Sequence, residues 1–311
     1  MSTAPPVRYQ ASALASVGDV DLCYDTFGDD DRPTMLLIMG LGFQLVHWPE
    51  EFCRQLAAEG FRVVRFDNRD AGRSSRVPSA PVSRQSILRA ALGDQTVAPY
   101  SLRDMAADGF GLLDRLGIDQ AHVVGVSMGG MIAQTMAIAQ PDRVLSLVSI
   151  MSTTGRRTVG WQDPRLLPRL STPRQRSRAD YVSNAERFWG LIDSPAYQTD
   201  QEQLRDRAGD TWDRGVSSAG VTRQLLAILT ARDRTPELAR LDLPAAVVHG
   251  SADRLVHVSG GRATAAAIPG AELVVLPGVG HDLPPQIWPQ LVDAIDRTAA
   301  RSARRPVGSA P

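Results

Sequence analysis

Gly125-Val126-Ser127-Met128-Gly129 sets a serine between small residues where an apolar run, Ala121 to Gly125, gives way to a helical pattern over 128–139. A strand-to-helix turn that tight pushes the serine hydroxyl out at the strand's carboxyl end. Ser127 is therefore the candidate nucleophile. A serine hydroxyl becomes nucleophilic when an imidazole takes its proton, and the imidazole needs a carboxylate to fix its tautomer and stabilise its cation. Of the five histidines, His47 opens a helix, His122 begins a strand at the wrong end of the sheet, His249 ends a strand, and His257 follows Asp253-Arg254-Leu255-Val256. His281 lies in a glycine-rich loop, Pro277-Gly278-Val279-Gly280-His281, just after the last strand and on the rim expected for Ser127. It is the candidate general base, against the plainer reading of a loop histidine that caps the next helix.

The carboxylate must also stand at a strand's carboxyl end. Asp253 does, in Val247-Val248-His249-Gly250-Ser251-Ala252-Asp253. Asp242 precedes that strand, Asp282 adjoins His281 too closely to reach its far ring nitrogen, and the Met-Ser-Thr-Thr after Ile150 offers no acid. The order Ser127, Asp253, His281 is the one expected when such a triad is built on a parallel sheet. Charge on a tetrahedral intermediate needs preorganised donors. The Met128 N–H at a helix start supplies one, and the flexible Met39-Gly40-Leu41-Gly42-Phe43 loop supplies the other through Leu41. Gly40, Gly42, Phe43 and Trp189 are the expected substrate contacts.

Strand and helix patterns alternate around these residues. Two short alternating segments, 8–16 and 19–27, flank Gly18-Asp19, a hairpin signal. Apolar runs at Thr34 to Met39, Arg62 to Phe66, Ala121 to Gly125, Val144 to Ile150, Ala245 to His249 and Glu272 to Leu276 read as strands buried on both faces. Helical patterns over 49–60, 102–116, 128–139, 258–268 and 285–299 lie between them. The expected fold is α/β: a mostly parallel, doubly wound sheet of about eight strands with an antiparallel N-terminal hairpin. Ligands bind such sheets beyond the carboxyl ends of the strands. The alternation stops over 154–241, where periodicity near 179–192, 201–212 and 221–231 indicates a helical cap inserted after the sixth strand. The expected core is thus 8–153 with 242–299, and 1–7 and 300–311 are expected to be mobile tails. Val77 to Tyr100 is a second interruption, broken by Pro78, Pro81 and Pro99. The cap carries Trp161, Tyr181, Phe188, Trp189, Trp212, Leu225, Leu226, Ile228 and Leu229; taken singly each reads as packing the cap on the core, and together they point to an apolar pocket.

The 311 residues balance 34 basic against 34 acidic side chains, so no net field draws the chain to nucleic acid or an anionic membrane. Cys23 and Cys53 lack metal-ligand spacing and read as reduced packing residues. The first residues show no secretory pattern, and no apolar run approaches the ~20 residues of a membrane span. The expectation is a cytoplasmic protein with no stable membrane insertion, no cofactor and no metal, acting on a small molecule and water. Its oligomeric state is open.

Met39-Gly40-Leu41-Gly42, Asp67-Asn68-Arg69 with Gly72 and Ser74, Gly125-Val126-Ser127-Met128-Gly129, Gly250-Ser251-Ala252-Asp253 and Gly280-His281 occur in an order that resembles the α/β-hydrolase superfamily over roughly residues 12–299. The block Phe66-Asp67-Asn68-Arg69-Asp70-Ala71-Gly72-Arg73-Ser74 is similar to the actinobacterial carboxylesterase branch that includes aclacinomycin methylesterase and lipase-like enzymes. The resemblance implies a serine esterase working through an acyl-enzyme. Met39 departs from the histidine common before the oxyanion glycine, and Asp70 from the usual glycine after Arg69. The polar residues of this block read as pairing with one another to shape the loop. The same triad also serves thioesters, lactones, peptides in the manner of proline iminopeptidases, carbon–carbon bonds and cofactor-free perhydrolysis. A ligand-binding module on an inactive scaffold is the reading from another class.

Overall fold

Val17 faces Val20 across Gly18, whose φ of 54° suits a two-residue hairpin turn, and the reversal joins β1 (Tyr9–Val17) to β2 (Val20–Phe27) as an antiparallel pair. The structure is a computed structural model that describes residues 7–78, 82–166 and 176–303. After the hairpin come β3 (Thr34–Ile38), β4 (Arg62–Phe66), β5 (Ala121–Val126), β6 (Val144–Ile150), β7 (Ala245–Gly250) and β8 (Glu272–Leu276). They form one eight-stranded sheet in the order β1-β2-β4-β3-β5-β6-β7-β8. Strands β4, β3, β5, β6, β7 and β8 pair in parallel, and β2 runs against both of its neighbours. The direction of strand order reverses between β3 and β5, the place where such sheets open a crevice at their carboxyl ends.

Successive side chains of a strand point to opposite faces, so a run apolar at every position needs a layer on each side. The helices that supply these layers and the cap are α1 (Glu50–Ala58), α2 (Arg84–Ala91), α3 (Leu102–Arg115), α4 (Met128–Ala139), α5 (Arg178–Ile192), α6 (Gln201–Asp213), α7 (Ser218–Leu229), α8 (Thr235–Leu238), α9 (Ser259–Ala267) and α10 (Trp288–Ala303). Leu36 and Ile38 of β3 pack into one core with Met105 and Phe110 of α3 and Ile132 and Met136 of α4. Met35 and Leu37 enter the other, with Phe52 and Leu56 of α1 and Leu291 and Ile295 of α10. Cys23 and Cys53 are buried and unbonded. None of the described helices is long and apolar enough to cross a membrane.

The expected elements are present with small shifts at their ends. Helix α7 begins three residues before the apolar pattern because Ser217 caps it, accepting the Gly220 N–H at 3.0 Å, and Ser218, Ala219 and Gly220 carry no large apolar side chain. Helix α10 runs to Ala303, so residues 300–303, expected as tail, are helical. Between Val77 and Tyr100 the described residues form the short α2 and one turn of 3-10 helix, Gln95–Val97, while Pro81 lies outside the described residues.

Buried ion pairs tie the helices inserted after β6 to the sheet. Arg214 meets Asp67 at 2.6 Å and Arg223 of α7 meets Asp70 at 2.5 Å. Asp70 also accepts the Tyr100 hydroxyl at 2.7 Å and the Val77 N–H at 3.0 Å. Burial pushes the Asp70 carboxyl up, but the bonds from Arg223 and Tyr100 outweigh it and hold the group below the usual carboxylate range. Asp70, a departure from the family pattern, is thus explained by its partner on the inserted helix. Breaking such a pair from one side strands a buried charge. Arg223→Met is expected to lower the unfolding free energy by about 3–5 kcal/mol in urea titrations at neutral pH. A loss under about 1 kcal/mol would mean that other groups satisfy Asp70.

Candidate active site

Ser127 follows β5 and precedes the first residue of α4, with φ 57° and ψ −120°, a conformation costing on the order of 1–3 kcal/mol for a residue with a side chain. The surroundings over-determine it. The Ser127 N–H donates to Ile150 O at 2.8 Å, and its carbonyl accepts from the Gly130 N–H at 3.0 Å and the Ser152 hydroxyl at 2.8 Å. The flanking glycines are obligatory by contact: a Cβ at Gly125 would lie 2.1 Å from Gly129 O, and one at Gly129 would lie 2.1 Å from Ile38 O. The second approach presses the start of α4 onto the end of β3. The Met128 N–H, at the first position of α4, has no intrahelical acceptor and sits where the helix dipole is positive.

The end of β3 leads into the loop Met39 to Phe43. A Cβ on Gly40 would stand 3.2 Å from Ser127 Cβ and 3.7 Å from its Oγ, so this loop passes against the candidate nucleophile. The Phe43 N–H turns back to Gly40 O at 3.2 Å, and the Gly42 N–H donates to Gln224 Oε1 of α7 at 2.8 Å. The Leu41 N–H has no acceptor among the described residues. Asn68 Nδ2 donates to Met39 O at 3.0 Å, and Asp67 accepts the Leu45 N–H at 2.7 Å and the Arg73 N–H at 2.9 Å. Arg69 pairs with Asp108 at 2.6 Å. The polar block after β4 is therefore a buried brace for this loop, as its composition implied.

At the other side of the rim, Asp253 follows β7 and is 3 % exposed. Its Oδ1 accepts the N–H groups of Leu255 at 2.9 Å and Val256 at 2.8 Å, and its Oδ2 stands 2.7 Å from His281 Nδ1. Burial raises its pKa, but His281 and His249 outweigh that and leave Asp253 below the usual range, as a carboxylate. With Nδ1 facing the carboxylate, His281 Nε2 is left as the free acceptor. The histidine loop is itself held by the end of α5. His281 N–H donates to Ile192 O at 2.7 Å, Gly280 N–H to Ser194 Oγ at 2.9 Å, and the Ser194 hydroxyl to Asp282.

These parts meet at one cleft of about 810 Å³ whose walls include Ser127, His281, Gly40, Phe43 and Trp189. Asp253 lies behind His281. Trp189 stacks on Phe43 with ring centroids 5.1 Å apart and planes at 16°. No hydrogen bond joins Ser127 Oγ to His281 among the described residues.

Two expectations need correction. Gly42, expected as a substrate contact, is not among the residues lining the cleft: its N–H donates to Gln224, and a Cβ there would lie 2.8 Å from Val221 Cγ2 of α7. Nor do the cap's apolar residues line the cleft as a set. Trp161 stacks on His257, Trp212 lies against Tyr181, and Leu226 is fully buried. Trp189 reaches the cleft, beside polar residues of α6 such as Gln203, Asp206, Arg207 and Asp210.

Three residues here were not singled out from the sequence. Gln224 braces the loop over Ser127. His249, fully buried, places Nε2 2.7 Å from Val256 O and 3.3 Å from Asp253 Oδ2. His47 lines the cleft, its ring 4.5 Å from that of Phe43. No local motif marks any of them, because each matters through a partner distant in the chain or in a neighbouring turn.

Across residues 33–285 the chain matches the α/β-hydrolase fold family. It belongs to that family. It is 28% identical over 300 residues to the rhodomycin D methylesterase of Streptomyces peucetius, spanning 89% of this chain and 94% of that protein. Over 281 residues it is 26% identical to 3-oxoadipate enol-lactonase 2 of Acinetobacter baylyi, spanning 89% of this chain and 93% of that one. The crystal structure of the enol-lactonase from Burkholderia xenovorans superposes with a TM-score of 0.70 at 23% identity, covering 94% of this α/β-hydrolase and all of that chain, a likeness of fold. The resemblance to actinobacterial methylesterases read from the sequence is borne out.

His47 also gives the fold a pH dependence. Burial, and then the nearby charge of Arg207, push its pKa down from 6.5 to about 3. The unfolded chain takes up the proton below pH 6.5 and the folded one does not, so stability falls as the pH drops from 6.5 towards 3. Each such histidine contributes up to ~1.4 kcal/mol per pH unit. His47→Gln is expected to make the acid-side fall in unfolding free energy shallower by about that amount between pH 6 and 4, read from urea titrations. An unchanged slope would show that His47 is protonated in the folded protein.

Proposed function

We propose that this α/β-hydrolase is a serine esterase that cleaves carboxylic esters of small to medium size through an acyl-enzyme. The 2.7 Å contact between His281 Nδ1 and Asp253 Oδ2 carries this reading, because it leaves Nε2 as the base in a cleft that also holds Ser127. In the mechanism, His281 Nε2 takes the Ser127 proton as Oγ attacks the ester carbonyl. The amides of Leu41 and Met128 receive the oxyanion, and the imidazolium then protonates the leaving alkoxide. Water, deprotonated by the same nitrogen, releases the acid. Asp253 keeps the tautomer and stabilises the imidazolium. Hydrogen bonds of this kind tighten in the substrate complex, consistent with the absence of a direct Ser127–His281 bond here.

In this reading, residues 8–153 and 242–299 form the chemical core and 154–241 act as a cap that selects the ester. Phe43 and Trp189 offer an apolar wall for one part of the substrate. A lactone is an internal ester and would follow the same steps, and the likeness to an enol-lactonase favours that as the second substrate class.

A fluorophosphonate probe should label Ser127, with the adduct located by peptide mass spectrometry. Ser127→Ala should abolish both the labelling and turnover of p-nitrophenyl esters of graded chain length. Asp253→Asn should keep the fold by circular dichroism and lower kcat by roughly 10⁴-fold, the size seen when a triad carboxylate is lost. Near-native kcat in that variant would assign the carboxylate elsewhere.

A further inference from the structure

Arg207 of α6 is half-buried, and it borders both the candidate cleft and a second cavity of about 110 Å³. That smaller chamber lies between α5 and α6 and is walled by Tyr181 and Phe188, among others. Phe43, His47, Trp189 and Arg207 line both spaces. The Arg207 guanidinium lies 5.7 Å from the centroid of the Trp189 ring, which stacks in turn on Phe43. Its positive charge is thus set against the aromatic wall of the cleft.

The other arginine of the cleft wall, Arg65, is committed to Asp25 at 2.7 Å. The Arg207 guanidinium has neither an ion pair nor a hydrogen-bond acceptor among the described residues. A guanidinium carries five N–H donors, and stacking on an indole face satisfies none of them. Burial draws its pKa down, and Asp282 across the cleft opposes that without reaching ion-pair distance.

We infer that Arg207 is a specificity-determining residue that binds an anionic oxygen group on the substrate, so that the preferred ester carries a carboxylate, enolate or phenolate away from the scissile bond. This rests on the esterase reading for the chemistry, but not for the binding. Five further acids, Glu50, Glu51, Asp200, Asp206 and Asp210, line the same cleft and are exposed. Exposed charges are screened over about 8 Å at physiological ionic strength, whereas a half-buried guanidinium is screened less. A substrate anion therefore passes a screened acidic rim and meets a half-buried cation that has no acceptor among the described residues. Donors held in a fixed fork suit a carboxylate better than a lysine ammonium would.

The test uses monomethyl esters of α,ω-dicarboxylic acids of four to ten carbons, each beside the neutral methyl alkanoate of equal length, so that the spacing from Ser127 to Arg207 is found rather than assumed. At one or two chain lengths the anionic ester should exceed its neutral partner in kcat/KM by about 10-fold or more. Arg207→Met should reduce that ratio by about 10- to 100-fold, and Arg207→Lys should restore part of it. Calorimetric binding of the same pairs to the Ser127→Ala protein, with and without Arg207→Met, reads the contact without turnover. A ratio near one at every length, unchanged by Arg207→Met in kinetics and in binding, would overturn the inference. If Ser127→Ala still hydrolysed esters, the esterase reading would fail, and the binding data alone would still decide on Arg207.

Discussion

The site depends on one close approach. Gly129 sets the first turn of α4 so near Ile38 O that no side chain fits between them, and Ser127 is bent to φ 57° at the same place. Parallel strands order themselves for burial of their apolar faces, which does not by itself bring two loop ends into register. The contact between α4 and the end of β3 does. It lays the Met39 to Phe43 loop beside the serine and fixes its distance from the helix start, where partial positive charge gathers. The strain at Ser127, on the order of 1–3 kcal/mol, is offset by the packing of a sheet buried on both faces.

A second layer of constraint is polar and long-range. Asp67, Asn68 and Asp70, at the end of β4, reach the loop over Ser127 on one side and Arg214 and Arg223 on the other. Gln224 closes the circuit by accepting from Gly42 and donating to Arg69 O. On the far rim, Ile192 and Ser194 at the end of α5 hold the histidine loop. The inserted helices therefore help to frame the reacting groups as well as to cover them. Inserted helices bonded to both the Met39 to Phe43 loop and the His281 loop cannot shift as a free lid without disturbing the geometry they cover.

This framing explains why some residues were legible from the chain and others were not. Ser127, Asp253 and His281 could be found because each lies just past a strand, and a parallel sheet brings all its carboxyl ends to one rim. The brace after β4 was legible as a run of opposite charges with no apolar run. The cap aromatics divide between packing and the cleft in a way the sequence does not show, because an amphipathic helix declares that it has a buried face without declaring what that face is buried against. Trp189 turns to the cleft while Trp212 and Leu226 turn away, and only the angles at which α5, α6 and α7 dock separate them.

The sequence alone thus determined the sheet, the position of the inserted helices and the order of the candidate residues along the rim, because strand periodicity, glycine turns and chain order are local properties. Tertiary structure decided how the residues of the candidate site are partnered. It gave Gly42 to Gln224, withdrew His47 from water until its pKa fell to about 3, and left the Arg207 guanidinium at the cleft without an acceptor among the described residues. Burial and partnership belong to the packed chain, so the charge and acidity of those groups were settled only when distant segments came together.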